Sequence, residues 1–219
     1  MDFGGLFAWP NVRFILEGFL LTLEVAIYSI IFSFALGIVF GILRYTRIPV
    51  LSQVAAFIID LIRNLPLLLI IFFIGMVLPS IGLSISLKWA AITGLSIFEG
   101  AMIAEIVRSG LNSVHKGQLE AARSSGLSYS QTLWHIILPQ ALRRMVPPIV
   151  SQFISLFKDT SLAVIISLPE LTHNIQIVGG QNQSFVIPAL LFAAFLYFAV
   201  NYSMSLIARR LEVRTHKST

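Results

Sequence analysis

The sequence has 219 residues, of which 57% are hydrophobic and only 11% are charged, and its mean hydropathy is +0.87. This composition excludes an ordinary soluble globular protein and indicates an integral membrane protein. The net charge of +5 then reflects basic cytoplasmic loops and not a nucleic-acid partner, and the absence of cysteine excludes disulfides and Cys-based zinc or redox sites.

Five apolar stretches are long enough to cross a bilayer, because a helix needs about 20 residues to span the hydrocarbon core. We predict spans at about 14–43, 54–78, 87–107, 146–168 and 186–207. Together they form an all-α integral membrane fold with a single domain over residues 14–209. The polar segment 169–184 is predicted to be the longest loop on the outer side.

The basic residues predict the orientation of these spans. With the N-terminus outside and the C-terminus in the cytoplasm, eleven of the fifteen Lys and Arg residues lie inside, and only Arg13 and Lys88 lie outside. The positive-inside rule therefore favours the N-out/C-in arrangement. The inner residues are Arg44, Arg47, Arg108, Lys116, Arg123, Arg143, Arg144, Arg209, Arg210, Arg214 and Lys217.

The second span carries a cluster of polar residues where charge is costly. Asp60 and Arg63 are three residues apart, so they can pair on one face of a helix. Pro66 removes a backbone hydrogen bond and is expected to open the helix beside Asn64. We leave open whether Arg63 is a structural partner of Asp60 or a ligand of a transported substrate.

Other spans also contain ionisable residues. Lys158-Asp159-Thr160-Ser161 interrupts the fourth span with four consecutive polar residues, which point around the helix and so predict a polar cavity or an unwound segment. The third span contains Glu99, a candidate for the same cavity. It also contains Glu105, which we expect to form a solvated pair with Arg108. In the first span, Glu17 is predicted at the interface and Glu24 is left unassigned.

The longest polar interruption, residues 116–140, lies between the third and fourth spans. A first short helix is predicted to end at Gly126, which can take the left-handed conformation at little cost. Ser128 and Gln131 form a capping-box pattern that begins a second helix. Pro139 is predicted to turn the chain back. Such a pair of helices is suited to insertion into a groove on another protein.

This interruption resembles the EAA loop of ABC importer permeases. The residues that carry the match are Glu120, Ala121, Ala122, Gly126, Ile136, Leu138 and Pro139, at the spacing EAA-x3-G-x9-I-x-L-P. In that family the loop forms coupling helices that dock on a separate ATPase subunit in the cytoplasm. The inner side on which the basic residues place this loop is the side where ATP is available.

Further motifs resemble the polar amino acid subfamily of these permeases. Arg63-Asn64-Leu65-Pro66-Leu67 is similar to its R-[GNS]-x-P-L motif, although Leu65 replaces a common Thr. Lys158-Asp159-Thr160-Ser161-Leu162 is similar to its K-[DN]-[TS]-S-L motif, and Phe98-Glu99-Gly100 matches its third span. The predicted substrate-binding residues are therefore Arg63, Asn64, Pro66, Glu99, Lys158, Asp159, Thr160 and Ser161.

The resemblance implies a five-span permease subunit with the type I, MetI-like importer fold, located in the bacterial inner membrane. It also implies a second permease subunit, a cytoplasmic ABC ATPase dimer and an external substrate-binding protein. Arg63 or Lys158 would meet a carboxylate, and Glu99 or Asp159 an ammonium group. We expect a polar amino acid of the glutamate, glutamine or aspartate class, moved inward by alternating access.

No catalytic chemistry is predicted in this chain. It contains neither a G-x-x-x-x-G-K-[ST] motif nor a G-x-S-x-G elbow, so ATP and Mg²⁺ are expected on the partner ATPase and no cofactor here. The four histidines lack metal-ligand spacing, and no metal site is predicted. Two alternatives stay open, namely an ATP-independent secondary transporter and a membrane anchor or scaffold.

Overall fold

A computed structural model describes residues 2–46 and 48–216, without the side chains of residues 211–216. Arg47 and Lys217, which we used to predict the orientation, lie outside this part of the chain. All regular structure within it is helical. The eight main helices are α1 (Trp9–Tyr45), α2 (Leu51–Arg63), α3 (Leu67–Ser80), α4 (Leu87–Asn112), α5 (Lys116–Ser124), α6 (Tyr129–Ile166), α7 (Leu171–Gln181) and α8 (Val186–His216).

Four of the described helices, α1, α4, α6 and α8, are long and apolar enough to cross a membrane. Helices α2 and α3 qualify as a fifth crossing only if they are taken together as one broken span. The sequence therefore identified the apolar segments. The helices differ in their bounds: α1, at 37 residues, begins before the predicted first span, and α6, at 38 residues, begins well before the predicted fourth span.

The centre of the fold is the contact between α1 and α4. In the 18-residue apolar stretch of α4, 67% of the residues are buried, whereas only 17% are buried in the corresponding stretch of α8. Helix α4 is therefore central and α8 peripheral. The buried face of α1 is rich in small residues, which lets the two backbones approach closely. A Cβ atom on Gly41 would lie only 2.7 Å from the carbonyl oxygen of Ala104. Glycine is required at such an approach.

The second predicted span is broken at Pro66. Helix α2 ends at Arg63 and α3 begins at Leu67, and the two helix axes differ in direction by 98°. Proline disfavours helical geometry in the residue before it and provides no N–H group for the preceding turn. The side-chain amide of Asn64 folds back onto the end of α2 and donates a 2.7 Å hydrogen bond to the carbonyl of Asp60. The opening predicted at Pro66 is therefore a complete break.

The prediction that Pro139 turns the chain back is wrong. The chain continues through Pro139 as one helix, because a π-helical turn at Leu133–Ile137 comes immediately before it. The wider turn relieves the clash between a proline ring and the preceding carbonyl, and Pro139 then occupies the first turn of the following α-helical segment. Helix α6 thus joins the 116–140 segment directly to the polar residues 158–161.

The predicted connection at 169–184 does lie between the candidate spans α6 and α8, but it is not an irregular loop, because most of it is helix α7. Leu171, Ile175 and Val178 follow helical spacing and are buried against α1 and α8. The Glu170 carboxylate caps the helix by accepting hydrogen bonds from the backbone N–H groups of Thr172 and His173. The polar residues between these apolar positions obscured the helical pattern in the sequence.

Candidate functional site

Glu99 is a fully buried carboxylate in the middle of the central helix α4. One of its oxygens accepts a 2.5 Å hydrogen bond from the side-chain amide of Gln152 on α6. The other oxygen, Oε1, has no hydrogen-bond partner among the described residues. A buried polar oxygen without a hydrogen-bond partner is costly, so an open acceptor at this depth favours a bound donor. Gln152 was not predicted as a site residue.

The polar run 158–161 lies where α6 changes its winding. The α-helix ends at Asp159, and residues Thr160–Ile166 form a 3₁₀ helix. Asp159 interacts electrostatically with both Glu99 and Lys158. Thr160 is buried and donates to the carbonyl of Phe157 at 2.7 Å, and Ser161 donates to the carbonyl of Lys158 at 2.8 Å. The structure thus brings Glu99 and Asp159 together with Gln152.

Arg63 lies in a separate cluster of charges at one end of α2. Arg44 contacts Asp60 with two hydrogen bonds, of 2.9 and 3.3 Å, and Glu105 with one of 3.1 Å. Arg63 is 4.0 Å from Asp60 and 3.6 Å from Glu105, and Arg108 also pairs with Glu105. The expected pair of Glu105 and Arg108 is present within a larger network. Arg63 has ion-pair partners, and a substrate role for Arg63, Asn64 and Pro66 stays a prediction.

The segment that resembles the EAA loop forms two helical pieces joined at Gly126. Gly126 has φ +86°, so the predicted left-handed turn is confirmed. No other group would contact a Cβ atom at this position. The capping box between Ser128 and Gln131 is also confirmed, with hydrogen bonds in both directions. Ala122 is buried beneath the turn, whereas Glu120 and Ala121 are exposed. The exposed side is available to another protein.

Of the remaining motif residues, Ile136 and Leu138 are half-buried and Pro139 is exposed. Trp134, in the π-turn beside them, is 66% exposed. An exposed indole of this size is typical of a contact surface or a membrane interface. Trp134 was not predicted as a functional residue, although its position in the 116–140 segment could have indicated a contact with another protein.

A second buried carboxylate, Glu170, lies outside the predicted site. Besides capping α7, it contacts the hydroxyl groups of Thr22 and Tyr197, each at 3.4 Å. Burial raises the pKa of the Glu170 carboxyl, and the hydrogen bonds that it accepts oppose this shift. The ring of Tyr197 packs edge-on against Phe157, one turn before Thr160. Glu170 therefore joins α1, α7 and α8 close to the polar run of α6.

Two further carboxylates have ion-pair partners. Glu24, which the sequence left unassigned, pairs with Lys88 at 2.9 Å and so joins α1 to the start of α4. Glu17 pairs with Arg13 at 2.8 Å, and both side chains are more than half exposed, as expected for residues at the membrane–water interface. Among the described side chains, those of residues 2–46 and 48–210, no three His, Asp or Glu residues are grouped as metal ligands.

Comparison with known proteins identifies related transport proteins. Residues 18–217 match the family described as binding-protein-dependent transport system inner membrane component. The chain is 62% identical to the probable glutamine ABC transporter permease GlnP of Bacillus subtilis (strain 168), over 98% of this chain and 99% of that protein. It is 31% identical to the glutamate/aspartate import permease GltK of Escherichia coli O157:H7, over 94% and 95% of the two chains.

Solved structures agree with the sequence comparison. The crystal structure of an amino acid ABC transporter with histidines superposes with a TM-score of 0.90 at 26% identity, over 98% of this chain and 99% of that one. The inward-facing MetNI methionine ABC transporter has the same fold, with a TM-score of 0.71 at 22% identity over 93% and 99%. The chain is a multi-pass membrane protein with the MetI-like permease fold, and it belongs to the family of binding-protein-dependent transport system inner membrane components.

Proposed function

We propose that this chain is the permease subunit of an ABC importer for an acidic or amide amino acid of the glutamine and glutamate class. The relatives are named as amino acid ABC permeases, which are translocation components and not enzymes, and an ATP-independent transporter or a scaffold is not favoured. The observation that carries the proposal is the pair of carboxyl groups that the buried Glu99 forms with Asp159. This arrangement suits the α-ammonium group that all amino acids share.

The substrate class is supported by the relatives, which are named as glutamine and glutamate/aspartate permeases, and Lys158 is compatible with it. Lys158 interacts with Asp159 and is the cation closest in sequence to the buried carboxylates. A ligand with a carboxylate or amide side chain can accept a hydrogen bond from Lys158, whereas a dibasic ligand would meet like charge. Thr160 and Ser161 add hydroxyl groups at the same turn. We therefore assign substrate contacts to Glu99, Gln152 and residues 158–161.

The 116–140 segment is assigned to energy coupling. Its rigid turn at Gly126 and the exposed Glu120 and Ala121 form a compact surface for a cytoplasmic ABC ATPase, which would hold the ATP and Mg²⁺. Helix α6 runs without interruption from this segment to the polar run. Closure of the ATPase dimer would therefore move the substrate site as one body with the coupling segment.

The complete importer requires a second permease subunit and an external binding protein, in the inner membrane of a bacterium. The family description itself names dependence on a binding protein. In the N-out orientation, helix α7, which connects α6 to α8, lies on the side of the binding protein. The coupling segment then lies on the cytoplasmic side. This chain would then supply one half of an alternating-access pathway.

The test is uptake into liposomes that contain the permease, its ATPase and its binding protein. We expect ATP-dependent uptake of glutamine or glutamate and little uptake of arginine. A preference for arginine would contradict the substrate class. Uptake that persists without the ATPase, and stops with a protonophore, would contradict the ABC mechanism itself.

A further inference from the structure

An apolar groove lies between α1, α2 and α4, away from the substrate site. Its volume is about 140 Å³, and a second groove of about 300 Å³ continues it, since both share Leu36 and Ile97. The main lining residues of the first groove are Leu36, Phe40, Ile58, Ile62, Ile97 and Ala101. These side chains are all apolar, so the groove offers no polar partner to a hydrophilic ligand. It suits a single hydrocarbon chain.

The charged cluster lies at one end of this groove. Arg44 is one turn beyond Phe40 on α1, Arg63 follows Ile62 on α2, and Glu105 is one turn beyond Ala101 on α4. The cluster combines three guanidinium groups with two carboxylates, so it carries one positive charge in excess. A monovalent anion would balance that charge.

Arg63 is the member of the cluster that can bind such an anion. Arg44 and Arg108 donate hydrogen bonds to the two carboxylates, whereas Arg63 contacts them only at 3.6 and 4.0 Å and donates no hydrogen bond within the described residues. Its side chain is 33% exposed. A guanidinium group has five N–H donors in a planar fork, which matches the geometry of a phosphate.

The dimensions also fit a lipid. From Phe32, in the second groove, to Arg44 is twelve residues of helix, or about 18 Å. One leaflet contributes about half of the ~30 Å hydrocarbon core, so an acyl chain that begins at the cluster would follow the groove to about the mid-plane. In the predicted orientation this end of the bundle faces the cytoplasmic leaflet, where anionic lipids are concentrated.

We propose that an anionic phospholipid binds here, with its phosphate at Arg63 and one acyl chain in the groove. The lipid would complete the charge balance of the cluster and hold α2 against α1 and α4. This role does not depend on which amino acid the importer carries.

The test measures lipids retained by the purified full-length chain in native mass spectrometry, after addition of phosphatidylglycerol or phosphatidylcholine. We expect wild type to retain phosphatidylglycerol about fivefold more strongly, because one basic residue near a membrane surface contributes about 1 kcal/mol. Arg63→Gln should lower this ratio to near one. Ile58→Trp, which fills the groove, should reduce retention of both lipids. Arg13→Gln, an exposed charge elsewhere on α1, should leave the ratio unchanged.

Four results would overturn the proposal. They are equal retention of the two lipids by wild type, an unchanged ratio in Arg63→Gln, full displacement of the lipid by inorganic phosphate, and lipid on the monomer but none on the dimer. The third would identify a simple anion site, and the fourth would assign the groove to the interface with a second copy.

Discussion

The side-chain amide of Gln152 donates a hydrogen bond to the buried carboxylate of Glu99 across 2.5 Å, and this contact joins the centres of α4 and α6. The carboxyl group of Asp159 lies close enough to Glu99 to interact with it. Two carboxylates at this depth repel each other unless they share a proton or a cation lies between them. The ammonium group of a transported amino acid is the cation that we propose.

Asp159→Asn should lower uptake of every amino acid alike. The substitution keeps the size of the side chain and removes the charge that an ammonium group would meet. Hydrogen bonds to charged groups contribute about 1.5–3 kcal/mol, so we expect a loss of roughly tenfold or more. The measurement is uptake of glutamine and glutamate by reconstituted importer, with Glu17→Gln as a control at an exposed carboxylate. Unchanged kinetics in Asp159→Asn would remove this residue from the site.

Glu170→Ala should destabilise the chain. The substitution leaves the first N–H groups of α7 without an acceptor and removes the contacts to Thr22 and Tyr197. Loss of an N-cap costs about 0.5–2 kcal/mol. Tyr197→Phe, which removes a single hydroxyl, should cost about 1 kcal/mol. Thermal unfolding in detergent measures both, with Glu17→Ala as the exposed control. Equal midpoints for Glu170→Ala and the control would show that the cap contributes little.

Gly126→Val should uncouple ATP hydrolysis from transport. The positive φ at Gly126 is costly for a β-branched residue. A Cβ atom at this position would contact no neighbouring group, so the substitution should change only the backbone geometry of the turn. Gly180→Val is the matched control, because that glycine also has open space but no positive φ. The measurements are ATPase activity with and without binding protein, together with uptake. Coupled transport at the wild-type level in Gly126→Val would contradict the coupling role.

The sequence predicted those features that depend on local chemistry. The capping box, the left-handed Gly126 and the break at Pro66 each follow from a few neighbouring residues, and the structure contains all three. The long apolar helices could be found from length and hydropathy alone.

The features that were missed depend on contacts between distant segments. Gln152 is 53 residues from Glu99, and its role becomes visible only when α6 packs on α4. Glu170 appeared to belong to a polar loop, since its partner Thr22 is 148 residues away. Arg63 was predicted beside Asp60, but its nearer partner is Glu105 on another helix. Pairing across helices cannot be read from spacing along one helix.

The orientation of the chain is the last prediction. Eleven of the fifteen basic residues lie inside if the N-terminus is outside, and the natural sequence has no cysteine, so single cysteines can report on each side. Ser125→Cys, exposed in the coupling segment, should resist a membrane-impermeant thiol reagent in intact cells and react after the membrane is opened. Gln183→Cys, exposed just after α7, should react in intact cells. Reaction of Ser125→Cys in intact cells as fast as Gln183→Cys would place the 116–140 segment outside, where no ATPase could reach it, and the coupling assignment would fail together with the orientation.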